Sequence, residues 1–180
     1  WSYLPPVAAP IPAVTVRTWP LSPIDSFVLS ALEVRGLTPS PEADPVVLLR
    51  RLSFALTGLP PSPEMTDGFS LDLLGEVVDE MLTSDDFGVR WGRHWLDVVR
   101  FAESNGKEAN ITYPHAWRYR DYVIDAFNDD LPFDRFLQEQ LAGDLMPAED
   151  DHERARRLIA TGFLAMGPKG LTEGNPLQFA

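Results

Sequence analysis

The chain has 180 residues, no cysteine and a formal net charge of -12. That length suits one domain with a sizeable core, while the charge argues against nucleic acid or anionic lipid as a partner, since both reward a surplus of Lys and Arg. Without cysteine this chain holds no disulfide, no Cys-ligated zinc and no CxxCH haem attachment, and no apolar run is long enough to span a membrane.

Residues 1–22 are rich in proline, which excludes helix and favours an extended arm. Trp1, Tyr3 and Trp19 are expected to pin that arm to the domain surface. No signal peptide precedes it, so the chain is expected to be a piece of a longer protein. Ser22-Pro23 then gives an N-cap and N1 pair, opening a helix to Arg35 that Gly36 stops. Asp44-Pro45 repeats the signal for a helix that ends at Gly58, with Val46, Leu49, Leu52, Phe54 and Leu56 on its apolar side. Ser62-Pro63-Glu64 can start a short helical turn, and Ser70 is expected to cap the helix carrying Leu71 to Leu82.

The densest stretch is Phe87 to Gly106, FGVRWGRHWLDVVRFAESNG. Ser84 is placed as its N-cap, with Asp85 and Asp86 at the positive end of the helix dipole. Phe87, Trp91, Trp95 and Val98 form one apolar stripe, beside a polar seam of Arg90, Arg93, His94, Asp97 and Arg100. The helix is expected to run on to a turn at Ser104-Asn105-Gly106. A loop follows, then a helix from His115 to about Asn128 with Trp117, Val123, Ile124 and Phe127 inward and a second polar cluster at Arg118, Arg120 and Asp121. Pro132 opens a helix with Phe133, Phe136, Leu137 and Leu141 inward, stopped by Gly143. Glu149-Asp150-Asp151 leads the last helix, whose core side reads Leu158, Ile159, Gly162, Phe163 and Met166. No stretch alternates like a strand. The sequence therefore predicts an all-α fold of about seven helices: arm 1–22, helical domain 23–168, and a loop at 169–180 cut off before the next element.

His94, Asp97, Arg100, Arg118, Arg120 and Asp121 are the candidate site, with His94 as acid/base group or ligand oriented by Asp97. The plainer reading is a pair of buried helices tied by Arg–Asp pairs. Asp97, Glu103, Asn105 and Glu108 are oxygen donors for a hard cation, at a spacing that does not match an EF-hand loop. Met166 reads as core rather than as a haem ligand. There is no P-loop, GxGxxG, GxSxG or HExxH.

Four stretches, RRLSFALTGLPPSPE (50–64), FGVRWGRHWLDVVRFAESNG (87–106), AWRYRDYVIDAFNDDLPFDRFLQEQLAGDL (116–145) and LIATGFLAMGP (158–168), together resemble a domain of unknown function, the second planctomycete-cytochrome-associated domain. The resemblance implies an exported, extracytoplasmic multidomain parent, with c-type haem in other parts of it and none in this chain. It implies the other domains of that parent as partners, and polysaccharide as another. No catalytic residue carries over, because the family has no settled activity.

Three readings follow. The chain is a helical module supporting electron transfer or an oxidation in a cytochrome-linked protein; or it binds or degrades polysaccharide, with Asp97 and Glu103 lining one cleft; or it is a structural spacer, with no pocket where its two polar clusters meet. The first and third share an expectation: the helices 87–102 and 116–128 pack together and bring Asp97 or His94 near Arg118 or Asp121.

Overall fold

A computed structural model describes residues 3–106 and 111–166. Among these residues there are eight α-helices and no strand; the only extended pairing is an isolated antiparallel bridge between Ser104 and Thr112. The fold is all-α, as the sequence predicts. The chain divides into two compact units, Trp1–Ala43 and Asp44–Ala180.

The first unit holds the extended arm and α1 (Pro23–Val34). A capping box opens α1: Ser22 Oγ accepts from the Asp25 N–H, and the Asp25 carboxylate accepts from the Ser22 N–H at 2.8 Å. The Leu21 N–H first, then the Ser22 hydroxyl and N–H, hold Asp25 below the usual carboxylate range. Gly36, at φ 67°, closes the helix, with the Leu37 N–H donating to the Leu32 carbonyl. The arm is tied to α1 through Glu33, whose carboxylate accepts the N–H groups of Thr15 and Val16 at 2.9–3.3 Å. Tyr3 does not pin it, being fully exposed; Trp1 lies outside the described residues.

The second unit holds α2 (Pro45–Leu56), α3 (Pro63–Gly68), α4 (Leu74–Leu82), α5 (Asp85–Val98), α6 (Ala116–Asn128), α7 (Phe133–Ala142) and α8 (Asp151–Ala160). Asp44 and Ser62 cap α2 and α3 as predicted. Ser70 and Ser84 make no capping bond; Ser84 Oγ donates back to the Met81 carbonyl instead.

The helices α5 and α6 form the centre of this unit. They run antiparallel: Gly88 meets Asn128, Gly92 meets Ile124, and Trp95 meets Tyr119. A Cβ on Gly88 would lie 2.5 Å from the Ile124 carbonyl oxygen, so only glycine permits this approach. Asn128 locks the contact by accepting the Gly88 N–H at 2.7 Å and donating to the Asp85 carbonyl at 3.3 Å. The face of α5 turned to α6 is therefore Gly88, Gly92 and Leu96; of the predicted stripe Trp95 packs on the core, while Trp91 is 38% and Val98 74% exposed.

Helix α5 also stops about eight residues before the predicted Gly106 turn. Arg100 takes φ 55°, the Phe101 N–H donates to the Leu96 carbonyl at 2.9 Å, and the Arg100 N–H to Asp97 at 3.2 Å. This is the pairing of a Schellman cap with arginine where glycine is usual. It swings Phe101 back onto Tyr119, ring centroids 6.1 Å apart. The core collects Leu96, Tyr119, Tyr122, Val123, Ala126, Phe136 and Ala160, flanked by Trp95, Phe163 and Met166. Met166 thus takes its predicted core role.

Gly88→Ala gains helix propensity worth up to about 1 kcal/mol but drives a methyl into the α6 backbone. The net expectation is a loss of about 2 kcal/mol in denaturant unfolding; an unchanged midpoint would contradict the close contact.

Candidate functional site

The second unit is built on polar groups the sequence reading left outside. Glu139 and Gln140, on α7, are 0% and 1% exposed. Gln140 Oε1 accepts from the Tyr119 hydroxyl at 2.5 Å and from Trp95 Nε1 at 3.0 Å. Glu139 Oε2 accepts from the Tyr122 hydroxyl at 3.0 Å, while Oε1 accepts from Arg135 at 3.2 Å and Arg156 at 2.9 Å. Arg157, also buried, lies 3.7 Å from the same oxygen and pairs with Glu153. A buried carboxylate costs several kcal/mol of lost hydration unless partners of this kind surround it.

This network corrects the predicted face of α7. Phe136 is buried, but Phe133 and Leu141 are 65% and 60% exposed. The face 136, 139, 140, 143 satisfies the helical period as well as 133, 137, 141 does, and the buried hydrogen-bond partners decide between them. It also corrects α6, where Tyr119 and Tyr122 are inside and Trp117 is 45% exposed. On α8, Arg157 is buried where Leu158 was expected, and Leu158 is 58% exposed. The available signals were the i,i+4 pairs Arg135–Glu139 and Glu153–Arg157 and the i,i+3 spacing of the two tyrosines.

Two grooves carry four of the six predicted site residues, Asp97, Arg118, Arg120 and Asp121. The larger, of about 720 Å³, lies between the end of α2, α5 and α6, and its lining includes Arg90, Arg93, Asp97, Glu103 and Arg120. Asp97 pairs with Arg93 at 3.0 Å, and Arg120 with Glu103 at 3.3 Å and Asp121 at 2.9 Å. The smaller, of about 390 Å³, lies between α6 and α8 and includes Trp117, Arg118, Asp121, Asp125, His152 and Arg156. Burial first, then the charges of Asp129 and Asp121, push the Asp125 carboxyl above its usual range, with Arg156 opposing. The predicted packing of α5 on α6 is present, but the predicted pairing differs. Asp97 shares its groove with Arg120, whereas Arg118 and Asp121 line the other. His94 is exposed and stacks edge-on with Trp91 at 5.4 Å. Arg100 serves the helix end at positive φ.

Of the cation candidates, Asp97, Glu103 and Asn105 lie among the described residues and are engaged with other partners. Among the described residues no three His, Cys, Asp or Glu side chains are grouped to hold a metal. Asp97 and Glu103 face arginines, Asn105 Oδ1 accepts the Ile111 N–H at 2.9 Å, and Glu108 lies outside the described residues. The large groove does place Asp97 and Glu103 in one cleft, and a spacer would have no groove between its polar clusters. Yet each carboxylate is 59% exposed and beside a guanidinium, not in the apolar setting a glycosidic general acid needs.

Burial pushes the Tyr119 hydroxyl up to about 12, and burial followed by the Glu139 charge pushes Tyr122 up as well. In the unfolded chain both lose their protons near 10. The folded state then binds more protons than the unfolded one, so stability falls as pH rises above about 10. Ionisation of these two phenols, followed by ultraviolet absorbance, is expected to coincide with loss of helix; ionisation of both in a fully helical chain would contradict their burial.

No curated protein and no solved structure matches the chain. Residues 23–178 match the family PSCyt2, described as a protein of unknown function (DUF1549). That span takes in every helix from α1 to α8, both grooves and the buried network, so the chain belongs to the PSCyt2 (DUF1549) family of domains of unknown function.

Proposed function

We propose that this chain is a helical module of an extracytoplasmic, c-type-cytochrome-linked parent protein, where it supports electron transfer or an oxidation by docking the haem-bearing domain. One surface feature carries the reading. Turning Glu139 and Gln140 inward leaves Phe133, Leu141 and, beyond the helix, Leu145 exposed by 65%, 60% and 81%. Phe133 and Phe87 together line an apolar hollow of about 320 Å³, and Phe87 leads along α5 to Trp91, ring centroids 6.1 Å apart. Exposed aliphatic and aromatic groups at helical spacing are interface chemistry. The name of the family, PSCyt2, supports a haem domain of the same parent as the occupant. Polysaccharide is the weaker reading, because Asp97 and Glu103 sit among arginines.

The test is a reduced-minus-oxidised visible spectrum of the intact parent, paired with Phe133→Asp. The expected result is sharp c-type bands whose reduction slows about tenfold in the variant, while the helical signal holds because the ring is mostly in water. A parent without c-type haem, or unchanged kinetics in the variant, would overturn the docking role.

A further inference from the structure

We infer that the large groove between α2, α5 and α6 binds a monocarboxylate with an apolar body, and that Arg90 is the residue that recognises the carboxylate. This stands apart from the docking reading, since it uses a different face of α5 and needs no haem.

The groove holds three guanidinium groups, Arg90, Arg93 and Arg120, against two carboxylates, Asp97 and Glu103. Asp121 also pairs with Arg120, so the charges of the cluster balance three to three, and what sets the groove apart is which guanidinium is left without a partner. Arg93 is neutralised by Asp97, and Arg120 by Glu103 and Asp121. Arg90 has no ion pair or hydrogen bond among the described residues, and its Nε is buried without a partner. A buried guanidinium N–H left unsatisfied is costly. Its position is nevertheless fixed: Gly58, at φ 76°, lets the Arg90 stem press against the chain, with Cδ 3.1 Å from where a Cβ would stand.

Nε is sealed off, so the Nη donors of a guanidinium held in this way are the ones that can meet a planar oxyanion. One unpaired guanidinium matches a monoanion, so a carboxylate fits better than a phosphate dianion. Leu96, Phe101 and Ile124 supply the apolar wall for the rest of the ligand. The Schellman turn at Arg100 brings Phe101 to that wall.

Isothermal titration of the whole chain with benzoate and with benzamide, its uncharged isostere, tests this directly. Benzoate is expected to bind about tenfold or more tightly than benzamide. Arg90→Met is expected to abolish that preference, while Arg154→Gln, an equal loss of charge on the exposed side of α8, keeps it. Equal binding of the two probes, no binding of benzoate, or a preference that survives Arg90→Met would each overturn the assignment. The probe comparison on the unmodified chain decides the matter if Arg90→Met fails to fold.

Discussion

The carboxylate of Glu139 is the constraint on which the second unit depends. It is wholly withdrawn from water, and the groups that compensate it come from α6, α7 and α8: the Tyr122 hydroxyl, Arg135, and the pair Arg156 and Arg157. An ion pair this buried adds little net stability over an apolar core of the same volume. What it supplies is rotation. Helix α7 can turn either its Phe133–Leu137–Leu141 side or its Phe136–Glu139–Gln140 side inward, and only the second lets Tyr119, Tyr122 and Trp95 complete their hydrogen bonds. The same rotation puts Phe133 and Leu141 outside, so one buried charge links the order of the core to the character of the surface.

A second constraint sets the other face. Glycine at 88 and 92 draws α5 against α6, and Asn128 fastens the joint. With that face occupied, Arg90, Arg93 and Asp97 turn toward the end of α2. The early stop of α5 at Arg100 then folds Phe101 and Glu103 back to complete the groove. A left-handed arginine costs about 1–2 kcal/mol relative to ordinary helical backbone. Strain of this kind is retained where the geometry it produces is used, here to carry the chain from the end of α5 into the groove wall.

Much of this architecture was readable in the chain. Ser22-Pro23, Asp44-Pro45 and Ser62-Pro63 start helices because a side-chain acceptor and a fixed proline φ are local chemistry. The packing of α5 on α6 was expected from the two polar clusters they carry, and the helices do pack together, though with other polar residues facing each other. What failed was the choice of face. Hydrophobicity placed Trp91, Trp117, Phe133, Leu141 and Leu158 inside, while Glu139, Gln140 and Arg157 went unread. Burial of a polar group depends on a partner that is distant in sequence, as Tyr122 is from Glu139 and Arg156 from Glu139, and no local period carries that information. The candidate site was half legible for the same reason. Asp97 and Arg120 do share a groove, but Arg90, whose significance lies in having no partner, stands out only once every neighbour is placed.

The most direct measurement is the unfolding free energy of Glu139→Gln by denaturant titration at neutral pH. The substitution keeps shape and removes only the charge, leaving Arg135, Arg156 and Arg157 around a neutral group. If Glu139 fixes how α6, α7 and α8 fit together, stability falls by about 3–5 kcal/mol, the cost of an uncompensated buried charge. A variant as stable as the parent chain, with the same cooperativity, would contradict that claim and leave the rotation of α7 to be explained by its apolar contacts alone.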